Sequence, residues 1–473
     1  MIIRILIFTL ILATIPTTIY AQSPAPRHLP LDATAAILVE QTTGRVLYAH
    51  NAFERRYPAS MSKMITALVV VEHLGLNDII VVGPEIRNMP AGYTTNLHAE
   101  GETITVHVLL KALMIRSGNE SGRTLALEVI RRQTGRADIT YNEAKPLFSA
   151  LLNQKARELG VRDTTFNNPY GLHSDTQHFT TAYDLALVAR AYMNHPVLAE
   201  IAGMNAFEGN SLGGLTHPEA NVRQYNWVNH NRMLPGADLG HPFVRGIKTG
   251  FTTPAGHCFA GSAYNNGLDL ITIVFNSQDP GRWQDTRMLM DFGFNNFAFR
   301  DIAHAEQTLE TVYIENPRLG DMYTLEVVST ESYRALLSHA EYDAITRVIT
   351  YDPLLLVEDS ENGTHLRTPI YAGEAIGIVT YLVDGETIFY APIIAARDVH
   401  ERTFDSDMDY YIALFFDNIF STRALPYWFG FFGVLFGILG WYTAIKIHLR
   451  TKKFERWQQP ERRRPSRYNR PPF

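Results

Sequence analysis

A single cysteine, Cys258, stands in 473 residues. One thiol cannot close a disulfide within the chain. There are no cysteine pairs, and the 17 scattered histidines show no H-E-x-x-H spacing, so the sequence carries no metal pattern and nothing that asks for a cofactor. The net charge is only -6, which argues against a nucleic-acid partner. Charged residues make up 19% of the chain and apolar ones 46%, an ordinary balance that can bury a core. The length suits two or three domains.

Long apolar runs are also rare, and the two that occur lie at the ends. Met1 to Ala21 reads as a secretory signal: Arg4, then Ile5 to Ile15, then Tyr20-Ala21 before Gln22. Ile19 is large for the position three residues before that cut, so an uncleaved anchor stays open; either outcome exports the rest. Ala424 to Ile445 is uncharged and long enough to span a bilayer, with Tyr427-Trp428 and Trp441-Tyr442 near its two ends. Gly433 and Gly437 inside it read as glycines tolerated in a membrane helix. The tail that follows, 446–473, is basic and contains Arg462-Arg463-Arg464, which places it in the cytoplasm and the bulk of the chain outside.

Between these ends the pattern divides at about residue 300. From Gln307 to Arg397 short strands are expected at Thr311–Glu315, Tyr323–Val328, Arg347–Tyr351, Ala375–Val383 and Thr387–Ile394, with a helical turn near Ser332–Ser338: a small β-rich domain over 305–400 with no catalytic constellation. The preceding region, 30–300, mixes both periods. Ala35–Glu40 and Gly44–Ala49 predict a hairpin. Val244–Phe251, His257–Ala263 and Leu268–Phe275 predict three successive antiparallel strands, the last two joined by Asn265-Asn266-Gly267. Together they give an α+β domain with a five-stranded antiparallel sheet, covered by helices near Tyr57–Leu74, Val106–Ile115, Thr124–Ile130, Asn142–Gly160, Thr181–Met193 and Arg282–Phe294. Gly203 to Pro242 reads as irregular surface.

Three short elements carry chemistry. In Tyr57-Pro58-Ala59-Ser60-Met61-Ser62-Lys63 the proline precedes an apolar helical run, so Ser60 opens a buried helix with Lys63 one turn on. The helix N-terminus favours negative charge on the serine oxygen, and burial lowers the lysine pKa so that the amine accepts a proton. Taken alone, the tetrapeptide is equally an ordinary core helix with one lysine. Ser117-Gly118-Asn119 falls between two helices, where polar side chains can point into a cleft. Lys248-Thr249-Gly250 lies on an outer strand.

In this order and setting, the three resemble the motifs of the active-site-serine penicillin-recognising enzymes. Within that group Arg56–Lys63, Ile115–Asn119 and Gly246–Phe251, together with Asn168-Pro169-Tyr170-Gly171-Leu172 and Thr181–Leu185, resemble the D-alanyl-D-alanine carboxypeptidases, the low-molecular-weight penicillin-binding proteins. The resemblance implies a β-lactamase/transpeptidase-like fold and hydrolysis of the terminal D-Ala from peptidoglycan stem pentapeptides. Ser60 is then the nucleophile, Lys63 its base and Ser117 the proton relay. Asn119 would hold the substrate's amide backbone. Lys248 and Thr249 would hold its carboxylate, and Gly250 would let it lie along the strand. Backbone N–H groups of Ser60 and Phe251 would form the oxyanion hole. β-Lactams would acylate Ser60. A full spanning helix departs from the amphipathic anchor of many members. Cys258 reads as a packed core residue.

Rival readings are a β-lactamase, an endopeptidase on crosslinked wall and a non-catalytic wall-binding protein. Glu-x-x-Leu-Asn is absent between Asn119 and Lys248, and Ser-Gly-Asn stands where the β-lactamase pattern has Ser-Asp-Asn. The motifs do not separate carboxypeptidase from endopeptidase action.

Overall fold

The structure is a computed structural model. It describes residues 28–87, 89, 94–96, 98–172, 177–214, 222–359 and 363–457. The signal segment and most of the basic tail fall outside these. The chain forms two units, one of residues up to 302 with 333–347 and 381–389, the other of 303–332, 348–380 and the remainder.

In the first unit the elements run β1 (Ala35–Glu40), β2 (Val46–His50), a 3₁₀ turn at Ala59–Ser62, α1 (Lys63–His73), β3 (Ile79–Val81), β4 (Glu102–Thr105), α2 (Val106–Ile115), α3 (Asn119–Thr134), α4 (Tyr141–Glu158), α5 (Ala182–Asn194), α6 (Pro196–Gly203), β5 (Ala206–Asn210), β6 (Gly213–Gly214), β7 (Gln224–Val228), β8 (Val244–Thr252), β9 (Gly256–Asn265), β10 (Leu268–Ser277) and α7 (Gly281–Asn296). The main sheet has five strands, as the sequence predicts, in the order β2-β1-β10-β9-β8. β1 pairs antiparallel with β10, Ile37 opposite Ile273, so the two ends of the unit close one sheet. Both faces of β1 are buried. Ile37, Val39, Ile271 and Ile273 belong to the main core, where α5 packs against β1 and β10. Ala36, Leu38, Leu270 and Val274 pack with Leu289 of α7 on the other face. Strand alternation on a sheet covered on both sides produces this division.

Four expectations change. Ser60 does not open the α-helix: it sits in the 3₁₀ turn, and Lys63 is the first α-helical residue. α3 begins at Asn119 rather than near Ser121, because the Asn119 N–H bonds the Thr94 carbonyl from outside the helix and Gly118 supplies the cap position. Gly203–Pro242 is not wholly irregular. β5 and β7 form a hairpin whose Tyr225 and Trp227 are buried, and the polar–aromatic alternation Gln-Tyr-Asn-Trp-Val is a strand period. Tyr333–Ser338 is a strand pairing with Phe297–Ala303, and the helical turn follows at His339–Asp343, capped reciprocally by Ser338 and Glu341. Tertiary pairing there overrides the helical preference of Ala-Leu-Leu.

The β-rich region forms a seven-stranded sheet in the order Ile345–Tyr351, Ala375–Val383, Glu386–Ala395, Thr324–Ser329, Thr308–Glu315, Gly363–Arg367, Leu356–Asp359. After it comes a helix that the sequence reading missed, Phe404–Phe420, capped by Thr403 and Ser406 and exposing Met408, Tyr411, Ile412 and Phe415. The next helix, Leu425–Trp457, runs twelve residues past the expected end at Ile445. Among the described residues it alone is long and apolar enough to cross a membrane, over Leu425–Phe454.

Candidate active site

The 3₁₀ turn that carries Ser60 is held from several sides. Ala59 has φ 47°, a left-handed conformation that is costly for alanine and that surrounding contacts must enforce. The Ser62 hydroxyl donates to the Ala59 carbonyl at 3.2 Å and lies 3.1 Å from His178 Nε2. His178 Nδ1 accepts the Asn167 N–H at 3.0 Å, so Nε2 carries the proton and donates to Ser62. The loop after Pro169 presses on the same carbonyl. Gly171 has φ 93°, and a Cβ there would stand 1.7 Å from the Ala59 oxygen. Gly171→Ala should therefore destabilise the protein by about 3 kcal/mol. It should also lower activity ten- to a hundredfold by displacing Ser60, on the order expected for a small misplacement. Thermal melts and steady-state rates check both effects.

Lys63 is fully buried. Its Nζ lies 2.9 Å from Ser60 Oγ, 2.7 Å from Asn119 Oδ1 and 3.1 Å from the Tyr170 carbonyl. The last two can only accept. A neutral amine spends both N–H bonds on them, and its lone pair then faces the Ser60 hydroxyl. Burial holds this amine well below the ordinary lysine range; Lys248 adds to the effect, and Glu120 opposes it. The Tyr170 carbonyl is aimed by Asn168, whose Oδ1 accepts the N–H groups of Tyr170, Gly171 and Leu172 at 3.2, 2.7 and 3.2 Å. Thr66 anchors the loop through the Pro169 carbonyl at 2.8 Å.

Ser117 is buried at the end of α2 with φ 62°, a second non-glycine residue in the left-handed region. Lys248 and Thr249 are buried on the edge strand β8. Lys248 Nζ donates to the Thr249 carbonyl at 3.1 Å. Among the described residues neither active-site lysine has a carboxylate within ion-pair distance. Burial, then Arg282, pushes Lys248 down to about 7. A Cβ on Gly250 would lie 3.2 Å from Ala59 Cβ and 3.3 Å from the Pro58 carbonyl, so this glycine lets β8 approach the turn that carries Ser60. Phe251 is exposed, its ring 4.4 Å from that of His257. Cys258 is buried, and burial pushes its thiol up to about 12, consistent with a packed residue.

Three residues of the site escaped the motif reading. Glu120 is buried next to Asn119 and acts on Lys63. Arg282 lies over the Trp283 ring and 3.5 Å from the Gly250 carbonyl. An arginine in the first turn of a helix opposes the helix dipole, which was the available signal that it serves something else. His230 has its Nε2 3.3 Å from Arg116 Nη1. Burial, followed by Lys248, Arg116, Arg282 and Lys63, pushes it down to about 4, so it is neutral at physiological pH.

These features define a class, the α+β fold of the penicillin-binding serine enzymes. The fold is similar to that of the D-alanyl-D-alanine carboxypeptidase DacD from Francisella tularensis, with TM-score 0.57 and 22% identity over 80% of this chain and 97% of that one. It is likewise similar to penicillin-binding protein 5 from Haemophilus influenzae, with TM-score 0.54 and 22% identity over 80% of this chain and all of that one. The chain belongs to the D-alanyl-D-alanine carboxypeptidase family, peptidase S11, whose model matches residues 20–279. Residues 301–401 match the C-terminal domain of penicillin-binding protein 5. It is 27% identical to the D-alanyl-D-alanine carboxypeptidase DacF of Bacillus subtilis over 409 residues, 84% of this chain and 94% of the relative. Against DacD of Escherichia coli it is 26% identical over 82% of this chain and 92% of the relative. The protein is a serine-type peptidase of this family, and the D-alanyl-D-alanine bond is the target of its hydrolysis.

Proposed function

We propose that the chain trims the terminal D-Ala from peptidoglycan stem pentapeptides through an acyl-enzyme on Ser60. The observation that carries this reading is the placement of Lys63 Nζ, whose two acceptor partners leave its lone pair for the Ser60 hydroxyl at 2.9 Å. Lys63 takes the hydroxyl proton as Ser60 Oγ bonds to the carbonyl carbon of the penultimate D-Ala. The backbone N–H groups of Ser60 and Phe251 receive the oxyanion. Ser117 gives its proton to the amine and takes one from Lys63 as the C–N bond breaks and D-Ala leaves, which frees Lys63 again. Water then adds to the ester, giving its proton to Lys63, which returns it to Ser60 Oγ as the Ser60–acyl bond breaks. Asn119 orients the peptide, and Lys248 with Thr249 binds the terminal carboxylate. β-Lactams mimic that terminus and acylate the same oxygen.

Lys248 sets a pH dependence. With its pKa near 7 it is cationic below that value and neutral above it. KM for a carboxylate-terminated peptide should therefore rise as pH climbs past 7. The same shift affects stability. The unfolded chain binds this proton up to about 10.4 and the folded chain only to about 7, so stability rises with pH across that window. Lys248→Met should melt higher than wild type below pH 7, by up to a few kcal/mol, and this advantage should shrink to nothing near the upper limit. Melting curves from pH 6 to 10 read it directly, and parallel curves would contradict the assignment.

We place the catalytic region, 30–300, and the β-rich domain, 305–400, on the exported side of the membrane. The signal segment, the apolar helix and the basic tail support this topology. Incubation of the detergent-solubilised chain with muropeptides, with Ser60→Ala as control, tests the reaction. Conversion of pentapeptides to tetrapeptides by wild type alone supports trimming. Loss of crosslinked dimers instead would make the chain an endopeptidase.

A further inference from the structure

A second polar network lies behind the catalytic turn and takes no part in the chemistry above. It joins Glu102 on β4, Tyr225 on β7, His98 and Asn96 on the segment before β4, and Ser121 on α3, all of them buried. The Tyr225 hydroxyl donates to Glu102. His98 Nδ1 lies 2.9 Å from that hydroxyl and Nε2 lies 3.0 Å from Ser121 Oγ. Asn96 Nδ2 donates to Ser121 Oγ at 3.0 Å and to the Ala112 carbonyl at 3.2 Å.

For a neutral His98 ring, donor and acceptor counting gives the chain one direction. Tyr225 spends its only proton on Glu102, so its oxygen accepts from His98 Nδ1–H. His98 Nε2 then lacks a proton and accepts from the Ser121 hydroxyl, whose oxygen accepts from Asn96. Glu102 supplies the negative end. Burial pushes its carboxyl up, but the nearby His98 ring and the hydrogen bonds from Tyr225 and the Ala99 N–H outweigh this and hold it below the usual carboxylate range. The other end meets the catalytic turn. A Cβ on Gly118 would fall 1.7 Å from Asn96 Nδ2 and 2.8 Å from Ser121 Oγ. The Asn119 N–H bonds the Thr94 carbonyl at 3.0 Å, and the Gly118 N–H shares the Ala112 carbonyl with Asn96. Asn119 Oδ1 in turn receives Lys63. Among the described residues the network reaches Lys63 through that turn and through Glu120, which accepts the Asn96 N–H.

We propose that His98 is a positioning residue for the reaction: through Ser121 and Asn96 it fixes Ser117-Gly118-Asn119 against Lys63. The inference rests on the proposed roles of Ser60, Lys63 and Asn119. It distinguishes a device for catalysis from a merely stabilising core network, because a misplaced turn slows the chemical step without weakening the encounter with substrate.

The test is acylation of the full chain, in detergent, by a fluorescent penicillin, with intact-mass detection and Ser60→Ala as control. His98→Leu keeps the volume and cuts the chain in the middle; Tyr225→Phe keeps the ring and cuts it at Glu102. Circular dichroism and melting curves establish the folded fraction, and rates are expressed per folded molecule. For His98→Leu the acylation rate constant should fall about 10- to 100-fold, with the Kd of the preceding complex within about twofold of wild type. Tyr225→Phe should fall in the same direction by about 3- to 10-fold, and it carries the test if the leucine variant does not fold. The double variant should be no slower than His98→Leu alone, because the two changes interrupt one chain. Folded variants that acylate at the wild-type rate, or single effects that multiply in the double variant, overturn the proposal. A wild type that is not labelled on Ser60 overturns the underlying assignment, and this inference with it.

Discussion

Ser60→Ala should abolish both D-Ala release and penicillin labelling, with a loss in kcat/KM on the order of 10⁴ or more. That scale is typical when the nucleophile of a serine hydrolase is removed. The reason is local. Among the described residues, Ser60 Oγ is the hydroxyl within hydrogen-bond reach of the Lys63 amine, and the turn that presents it is held by Ser62, His178 and Gly171 whether or not Oγ is there. The fold should survive. The variant loses one hydrogen bond from a lysine that keeps its bonds to Asn119 and Tyr170, so stability should change by only about 1 kcal/mol. Kinetics of D-Ala release, gel fluorescence with labelled penicillin and a melting curve together check this. Labelling that survives in a folded variant would mean another nucleophile.

The second large effect concerns the base. Lys63→Arg should lower acylation by at least about 10² to 10⁴, the usual share of a general base, with a further loss from the crowded guanidinium. Arginine stays protonated at every workable pH, so it cannot accept the serine proton. The sign of the pH response follows. In wild type the acylation rate should rise with pH as Lys63 loses its proton, and burial should move that rise well below the ordinary lysine range. Lys63→Arg should retain no such rise. Lys63→Met is the companion variant: it removes the amine but leaves Asn119 Oδ1 and the Tyr170 carbonyl without that donor, at about 1–3 kcal/mol for each group that finds no other partner. Relief from burying the lysine offsets part of this cost. Single-turnover acylation from pH 5 to 10 separates the cases, and a normal rate in either variant would remove Lys63 as proton acceptor.

Much of this was legible in the chain. The five strands of the main sheet announce themselves by apolar period and by the Asn265-Asn266-Gly267 turn. Ser60 and Lys63 are three residues apart, so any helical turn brings them together, α or 3₁₀. What joined Ser60 to Asn119 and Lys248 was motif resemblance, since spacing alone does not place residues 59 and 188 positions further along. The residues that escaped are those whose role depends on tertiary placement. Arg282 is remote in sequence, and only the return of α7 behind β8 sets its guanidinium near Gly250. His178 bonds the Ser62 hydroxyl more than a hundred residues earlier, and Asn168 shapes the loop whose Tyr170 carbonyl meets Lys63. Tyr333–Ser338 reads as helical until Phe297–Ala303 offers it a strand partner. Phe404–Phe420 was passed over because its four aspartates mask an apolar face of Met408, Tyr411, Ile412 and Phe415.

The central claim is that chemistry passes through an ester on Ser60 formed with Lys63 as base. Its most direct measurement is to quench the reaction of the full chain with a slowly deacylating β-lactam, digest the protein and locate the added mass by tandem mass spectrometry, for wild type and Lys63→Arg in parallel. The account predicts an adduct confined to Ser60 in wild type, at one per chain, and almost none in the variant over the same time. An adduct on Ser62, Ser117 or any other residue, or equal labelling of the arginine variant, would contradict it.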